Sequence, residues 1–131
     1  MALYELLFWP ALLLASPYYL RRMWRRGGYG RDFGERFGFF REEKRARLRD
    51  LRPVWIHAVS VGEVGVALDL IRRLRALPGF PPIALSTTTS TGHAHAARNL
   101  PSDVPLFYFP LDSRLCFGPV HRLLRPRALV L

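Results

Sequence analysis

PVWIHAVSVGEVGVALDLIRRLRAL, residues 53–77, decides the fold of this 131-residue chain. Its first seven residues form an apolar run interrupted only by His57, the texture of a strand. Ser60, Gly62 and Glu63 follow, and from Glu63 to Leu77 the sequence takes a helical pattern that Pro78 and Gly79 close. The alternation then repeats. PPIALSTTT (81–89) reads as a second strand, GHAHAARNL (92–100) as a helix and VPLFYFPL (104–111) as a third strand. SRLCFGPVHRLLR (113–125) reads as a loop and helix, and RALVL (127–131) as a fourth, buried strand. Strands and helices alternating at this spacing predict an α/β domain over residues 53–131, a Rossmann-like parallel sheet with right-handed crossovers. A chain stopping at Leu131, inside such a strand and with no polar tail, is expected to be a fragment of a longer protein or the product of a truncated gene.

Two segments precede that domain. Residues 1–26 open with a mostly apolar run, MALYELLFWPALLLASPYYL, followed at once by RRMWRR. Twenty helical residues rise about 30 Å, enough for a hydrocarbon core, and the flanking Trp and Tyr side chains suit an interface. Glu5, Pro10 and Pro17 argue against a clean span, so the reading is a membrane-anchoring or interfacial helix. Its positive charge follows the apolar run, unlike a cleaved signal peptide, and puts the rest of the chain on the cytoplasmic side. Residues 27–52 form a basic, glycine- and arginine-rich connector ending in a charged helix, REEKRARLRDLR (41–52), whose opposite charges at spacings of three and four mark a solvated face.

The net charge of +10 is concentrated there: residues 21–52 hold twelve basic and five acidic side chains, whereas residues 53–131 hold eight and four. Such a segment favours anionic partners. Nucleic acid is disfavoured, because the basic stretch directly follows an aromatic-flanked apolar helix and matches no nucleic-acid module. Anionic membrane lipid accounts for both features. With a single cysteine, Cys116, no intrachain disulfide can form, and the residue reads as a buried small hydrophobe in a reducing compartment.

Ser60-Val61-Gly62-Glu63 fits a capping box, in which the serine caps the helix and the glutamate reaches back. That explains Glu63 structurally. Its place also admits a catalytic carboxylate, since ligands of open α/β sheets bind beyond the carboxyl ends of the strands. STTTSTG (86–92) stands in the equivalent place after the second strand, with six hydroxyls suited to a sugar, phosphate or carboxylate, or else simply a Thr-rich strand end with its cap. No GxxxxGK or GxGxxG loop is present, which disfavours a nucleotide site in this half. His57, His93 and His95 lack the companions of a metal site; His57 reads as a satisfied polar residue that orients the loop. Asp112, after the third strand, is expected to cap the next helix.

WIHAVSVGEV (55–64), STTTSTG (86–92), YFPLD (108–112) and ERFG (35–38), in this order behind an apolar N-terminal helix, resemble the amino-terminal half of bacterial 3-deoxy-D-manno-octulosonic acid (Kdo) transferases. The resemblance covers nearly the whole chain. It implies a GT-B glycosyltransferase of two Rossmann-like domains, the first binding a lipid A precursor at the cytoplasmic face of the inner membrane and the second binding the donor CMP-Kdo. It implies Glu63 as general base, with Ser60, Gly62, Thr87, Thr88, Thr89, Ser90, Thr91 and Gly92 shaping the acceptor and donor cleft. Arg21, Arg22, Arg25, Arg26, Arg31 and Arg36 would meet lipid phosphates. No metal and no cofactor beyond the donor substrate is expected. The family continues into a donor domain that these residues do not include, so the chain alone is expected to be inactive. The alternative is a non-catalytic, membrane-bound module for anionic lipids, in which Glu63 only caps.

Overall fold

A computed structural model of the chain describes residues 7–17, 21 and 32–131. Residues 7–17 are helical (α1), with Leu7, Leu13 and Leu14 exposed. Among the described residues no helix is long and apolar enough to cross a membrane. Arg21 is exposed, whereas Arg22, Arg25, Arg26 and Arg31, and parts of the apolar segment, lie outside the described residues.

From Asp32 the order is a 3-10 turn (Phe33–Phe37), α2 (Glu42–Leu48), β1 (Val54–Ala58), α3 (Val61–Arg75), β2 (Ile83–Thr87), α4 (Ser90–Asn99), β3 (Leu106–Tyr108), α5 (Arg114–Leu124) and β4 (Ala128–Val130). The four strands form one parallel sheet in the order β3-β2-β1-β4. The chain therefore steps outward from β1 to β3 and returns to the other side of β1, which puts a topological switch point between β1 and β4.

The two faces of the sheet are covered by different chemistry. Val64, Ala67, Leu68 and Ile71 of α3, with Ala96 of α4, pack on Ile56, Ala58, Ile83 and Leu85 in an aliphatic layer. Ile71 is fully buried, and truncating it to alanine would cost about 2–5 kcal/mol. On the other face Trp55, Ala84 and Phe107 meet Val120 and Leu124 of α5 and Leu48 of α2, with Phe40, Phe109 and Phe117 at the margins. Trp55 stacks on Phe117 at 5.6 Å and 14°. α2, charged along most of its length, thus places one leucine in the core: Leu48 is fully buried. Beyond it, the N–H groups of Asp50 and Arg52 donate to the carbonyls of Leu123 and Leu124, satisfying the end of α5.

Two expectations are corrected. β4 is exposed, with Leu129 at 37% and Val130 at 41%, because β1 alone packs closely on it, whereas β3 at the other edge is covered by α4 and the 3-10 turn. The cap of α5 is Ser113, not Asp112: Ser113 holds the extended backbone that precedes the first turn, and its hydroxyl accepts the Leu115 N–H at 3.3 Å.

Candidate active site

Glu63 sits in the first turn of α3, at the carboxyl end of β1. The Ser60 hydroxyl oxygen accepts the Glu63 N–H at 3.3 Å, as the capping box requires. The returning carboxylate reaches one residue further than the usual box. Its Oε2 accepts the Val59 N–H at 2.7 Å, and its Oε1 accepts the Ser60 hydroxyl at 3.1 Å. The Val59 N–H, then the Ser60 hydroxyl, hold this carboxyl below its usual range, so it stands ionised at neutral pH. Glu63 itself is exposed. The carboxylate is held by its neighbours but open to solvent. Gly62 beside it is also exposed, and a Cβ there would meet nothing nearer than the Ser60 hydroxyl at 4.0 Å.

The turn after β2 is built the same way. Thr89 is the cap of α4, its hydroxyl oxygen accepting the Gly92 N–H at 3.1 Å while the hydroxyl donates to the Val59 carbonyl at 2.9 Å. The two helix starts touch at Gly92, where a Cβ would come within 2.9 Å of Thr89 Oγ1 and 3.5 Å of Val64. Ser60, Glu63, Thr89 and Gly92 are brought together around Val59, with Thr88 and Ser90 partly exposed and Thr91 exposed beside them. Thr87 is different: it is completely buried, and its hydroxyl lies 2.9 Å from His93 Nδ1 rather than facing the cleft.

Beneath this end lies a connected set of polar groups. His57 Nδ1 is 3.2 Å from the Ser86 carbonyl oxygen, which can only accept, so Nδ1 carries the proton and Nε2 is free to accept from the Thr88 hydroxyl at 3.3 Å. His57 also lies on the Phe109 ring at 4.0 Å, and burial lowers its pKa, against the pull of the Ser86 carbonyl and the Glu63 charge. This matches the reading of His57 as a satisfied residue orienting the loop. His93 stacks on Tyr108 at 4.1 Å and 12°; burial first, then the charges of Lys44 and Arg36, depress its pKa to about 4. Among the described residues no group of three or more His, Cys, Asp or Glu is placed to hold a metal ion.

The 3-10 turn closes the arrangement, and its role was not visible in the sequence. Glu35 is buried at 3% exposure, with Oε2 accepting the Tyr108 N–H at 2.9 Å and Oε1 2.5 Å from the Lys44 ammonium. Burial raises its pKa, and Lys44 and the Tyr108 N–H oppose that rise. Arg36, grouped above with the lipid-facing arginines, is instead drawn onto the sheet: its guanidinium donates to the Thr88 carbonyl and lies 4.6 Å from the Tyr108 ring centroid. The attraction of a planar cation for a ring face and a carbonyl accounts for that placement. The one signal that pointed here was the ERFG motif.

Residues 31–131 match the family described as 3-deoxy-D-manno-octulosonic-acid transferase (kdotransferase). A 3-deoxy-D-manno-octulosonic acid transferase of Chlamydophila psittaci is 34% identical over 131 residues, covering 98% of this chain and 29% of that protein. One of Bordetella pertussis is 42% identical over 81 residues, covering 58% of this chain and 18% of its own length. A bifunctional glycosyltransferase/methyltransferase of Fusobacterium nucleatum is 29% identical over 86 residues, covering 64% and 13%. No solved structure matches. The chain spans less than a third of the length of these relatives. A four-stranded parallel sheet with a carboxylate at the carboxyl end of β1, and a family match running from the 3-10 turn to the last strand, lead to one conclusion: the chain belongs to the 3-deoxy-D-manno-octulosonic-acid transferase family.

Proposed function

We propose that these residues form the acceptor-binding half of a GT-B enzyme of lipopolysaccharide synthesis that transfers Kdo from CMP-Kdo to a lipid A precursor with inversion. The observation that carries this reading is Glu63, an exposed carboxylate kept ionised at the carboxyl end of β1. In the reaction it takes the proton of the acceptor's primary hydroxyl. The oxygen's electron pair forms the new bond to the anomeric carbon, and the bond from that carbon to the CMP oxygen breaks, CMP leaving with its electrons. A base bound to two donors is weak, and an acceptor hydroxyl that displaces Ser60 or the Val59 N–H from the carboxylate would raise its basicity at the moment of use.

Ser60 and Gly62 with the loop 88–92 form the cleft wall, and Arg21, Arg22, Arg25, Arg26 and Arg31 meet lipid phosphates at the cytoplasmic face of the inner membrane. CMP-Kdo binds mainly on a second domain, and the 131 residues alone do not turn over. No cofactor is needed. A second reading has one observation in its favour: both oxygens of Glu63 are already used in the cap. On that reading the chain is a non-catalytic module for anionic lipids.

Kdo transfer from CMP-Kdo to a tetraacylated lipid A precursor, measured on the full gene product and its Glu63→Gln variant, decides between them. Loss of transfer at unchanged thermal stability supports the base. Transfer retained by the variant, or no transfer by the unaltered protein, removes the reading.

A further inference from the structure

The backbone of Val59 is shared between the carboxylate and the neighbouring loop. Its N–H donates to Glu63 Oε2 at 2.7 Å, and its carbonyl accepts the Thr89 hydroxyl at 2.9 Å. The two groups lie on successive planar peptides hinged at the Val59 Cα, so the Thr89 contact holds one side of the hinge whose other side carries the Glu63 contact. The loop in turn is fixed one residue earlier, where the Thr88 carbonyl accepts from Arg36 and the Thr88 hydroxyl faces His57 Nε2 at 3.3 Å.

Arg36 is itself anchored by its own backbone. Its carbonyl accepts the Leu111 N–H at 2.8 Å, and the preceding Glu35 accepts the Tyr108 N–H at 2.9 Å. The side chain lies on the Tyr108 ring. A continuous path of short contacts therefore runs from the 3-10 turn through Thr88, Thr89 and Val59 to Glu63. Its first member follows directly on the basic N-terminal segment.

We infer that Arg36 and Thr89 are positioning residues that aim Glu63 through the Val59 backbone, which rests on the reading of Glu63 as the base. Arg36 thus serves the reaction from behind the loop, and not as a lipid contact. Loss of aim slows the chemical step while leaving the acceptor's binding contacts in place, so it appears in kcat and not in KM.

The test uses the full gene product with CMP-Kdo and a tetraacylated lipid A precursor, comparing Arg36→Lys, Thr89→Val, Thr89→Ser and Glu63→Gln. Arg36→Lys keeps the charge but loses the planar fork. Thr89→Val keeps the shape but loses both hydrogen bonds, which Thr89→Ser retains. The expected result is a kcat lowered about ten-fold or more in Arg36→Lys and Thr89→Val, with acceptor KM within about two-fold, and near-complete recovery in Thr89→Ser. The double variant Arg36→Lys/Thr89→Val should lose less than the product of the two single losses, because both loosen one path.

A raised acceptor KM at unchanged kcat in Arg36→Lys makes Arg36 a lipid contact and overturns the inference. Equal losses in Thr89→Val and Thr89→Ser also overturn it. If Arg36→Lys fails to fold, the Thr89 pair decides alone. An inactive Glu63→Gln beside wild-type kcat in Arg36→Lys and Thr89→Val sinks the inference and spares the base. Full activity in Glu63→Gln sinks both.

Discussion

The turns β1–α3 and β2–α4 are two solutions to one problem. Each ends a parallel strand, and each caps the next helix with a hydroxyl that accepts the N–H three residues on, Ser60 for Glu63 and Thr89 for Gly92. They differ in what occupies that third position. At Gly92 no side chain fits, because the cap oxygen and Val64 fill the space; at Glu63 the side chain stands in the open beside an uncrowded Gly62. The same local rule thus yields a closed turn that packs and an open turn that presents a carboxylate. Capping explains both backbones, and on the proposed reading only one of them has chemistry to perform.

The comparison breaks most visibly at the carboxylate. Glu63→Gln keeps an oxygen to accept the Val59 N–H but cannot take a proton, so Kdo transfer by the full gene product should fall by about 10²–10⁴-fold, the usual worth of a general base. The thermal midpoint should barely move. A variant that remains active and melts early would make the open turn a cap like its neighbour.

Closure of the second turn is tested by adding one methyl group. Gly92→Ala pushes a Cβ against Thr89 Oγ1, which is already committed to two hydrogen bonds, and should cost about 1–3 kcal/mol in denaturant unfolding. Gly62→Ala, in open space at a helical position, should be neutral or stabilising by up to about 1 kcal/mol. If Gly62→Ala nonetheless lowers transfer, the space above it belongs to the substrate. Equal stabilities of the two variants would erase the distinction between the turns.

Acid offers a milder probe of the closed side. His93 is held neutral in the fold, with a pKa of about 4 against an ordinary 6.5. As pH falls through 6.5 the unfolded chain takes up this proton first, so stability declines until about pH 4, by about 1–2 kcal/mol for a partly exposed ring. His57, also lowered, adds to the same slope. Urea midpoints measured from pH 7 to 4.5 should fall less steeply in His93→Gln; parallel curves would count against it. The smallest effect belongs to the cap itself: Ser60→Ala should lose about 1 kcal/mol, read as a lower urea midpoint, and an unchanged midpoint would show the box to be dispensable.

How legible the molecule was depended on how local its causes are. Val54–Ala58 and Val61–Arg75 follow from apolar periodicity and a cap within a few residues, as do the second strand and α4. Glu63 and its Ser60 cap were readable for the same reason. Glu35 reaches the Tyr108 N–H 73 residues on and Arg36 the Thr88 carbonyl 52 residues on, distant backbone groups that leave no mark in side-chain pattern. A glycine-rich basic stretch therefore read as a surface connector although its second half docks on the sheet. The Asp112–Ser113 pair offers two competent caps in a row, and only the start of the helix chooses between them. The exposure of β4 depends on what packs over it, which its own apolar pattern does not record.

Trp55 has a spectroscopic consequence. Its indole is fully buried, stacked on Phe117, and donates to the Ser86 hydroxyl at 2.7 Å, the same hydroxyl that lies 3.1 Å from His57. Trp9 and Trp24 are the other tryptophans of these 131 residues. With those two replaced by phenylalanine, the emission of one indole would report both the integrity of the aromatic face and, through Ser86 and His57, the state of the Thr88 loop. The core then carries a light-emitting gauge of its own cleft, readable during acceptor titration without any added label.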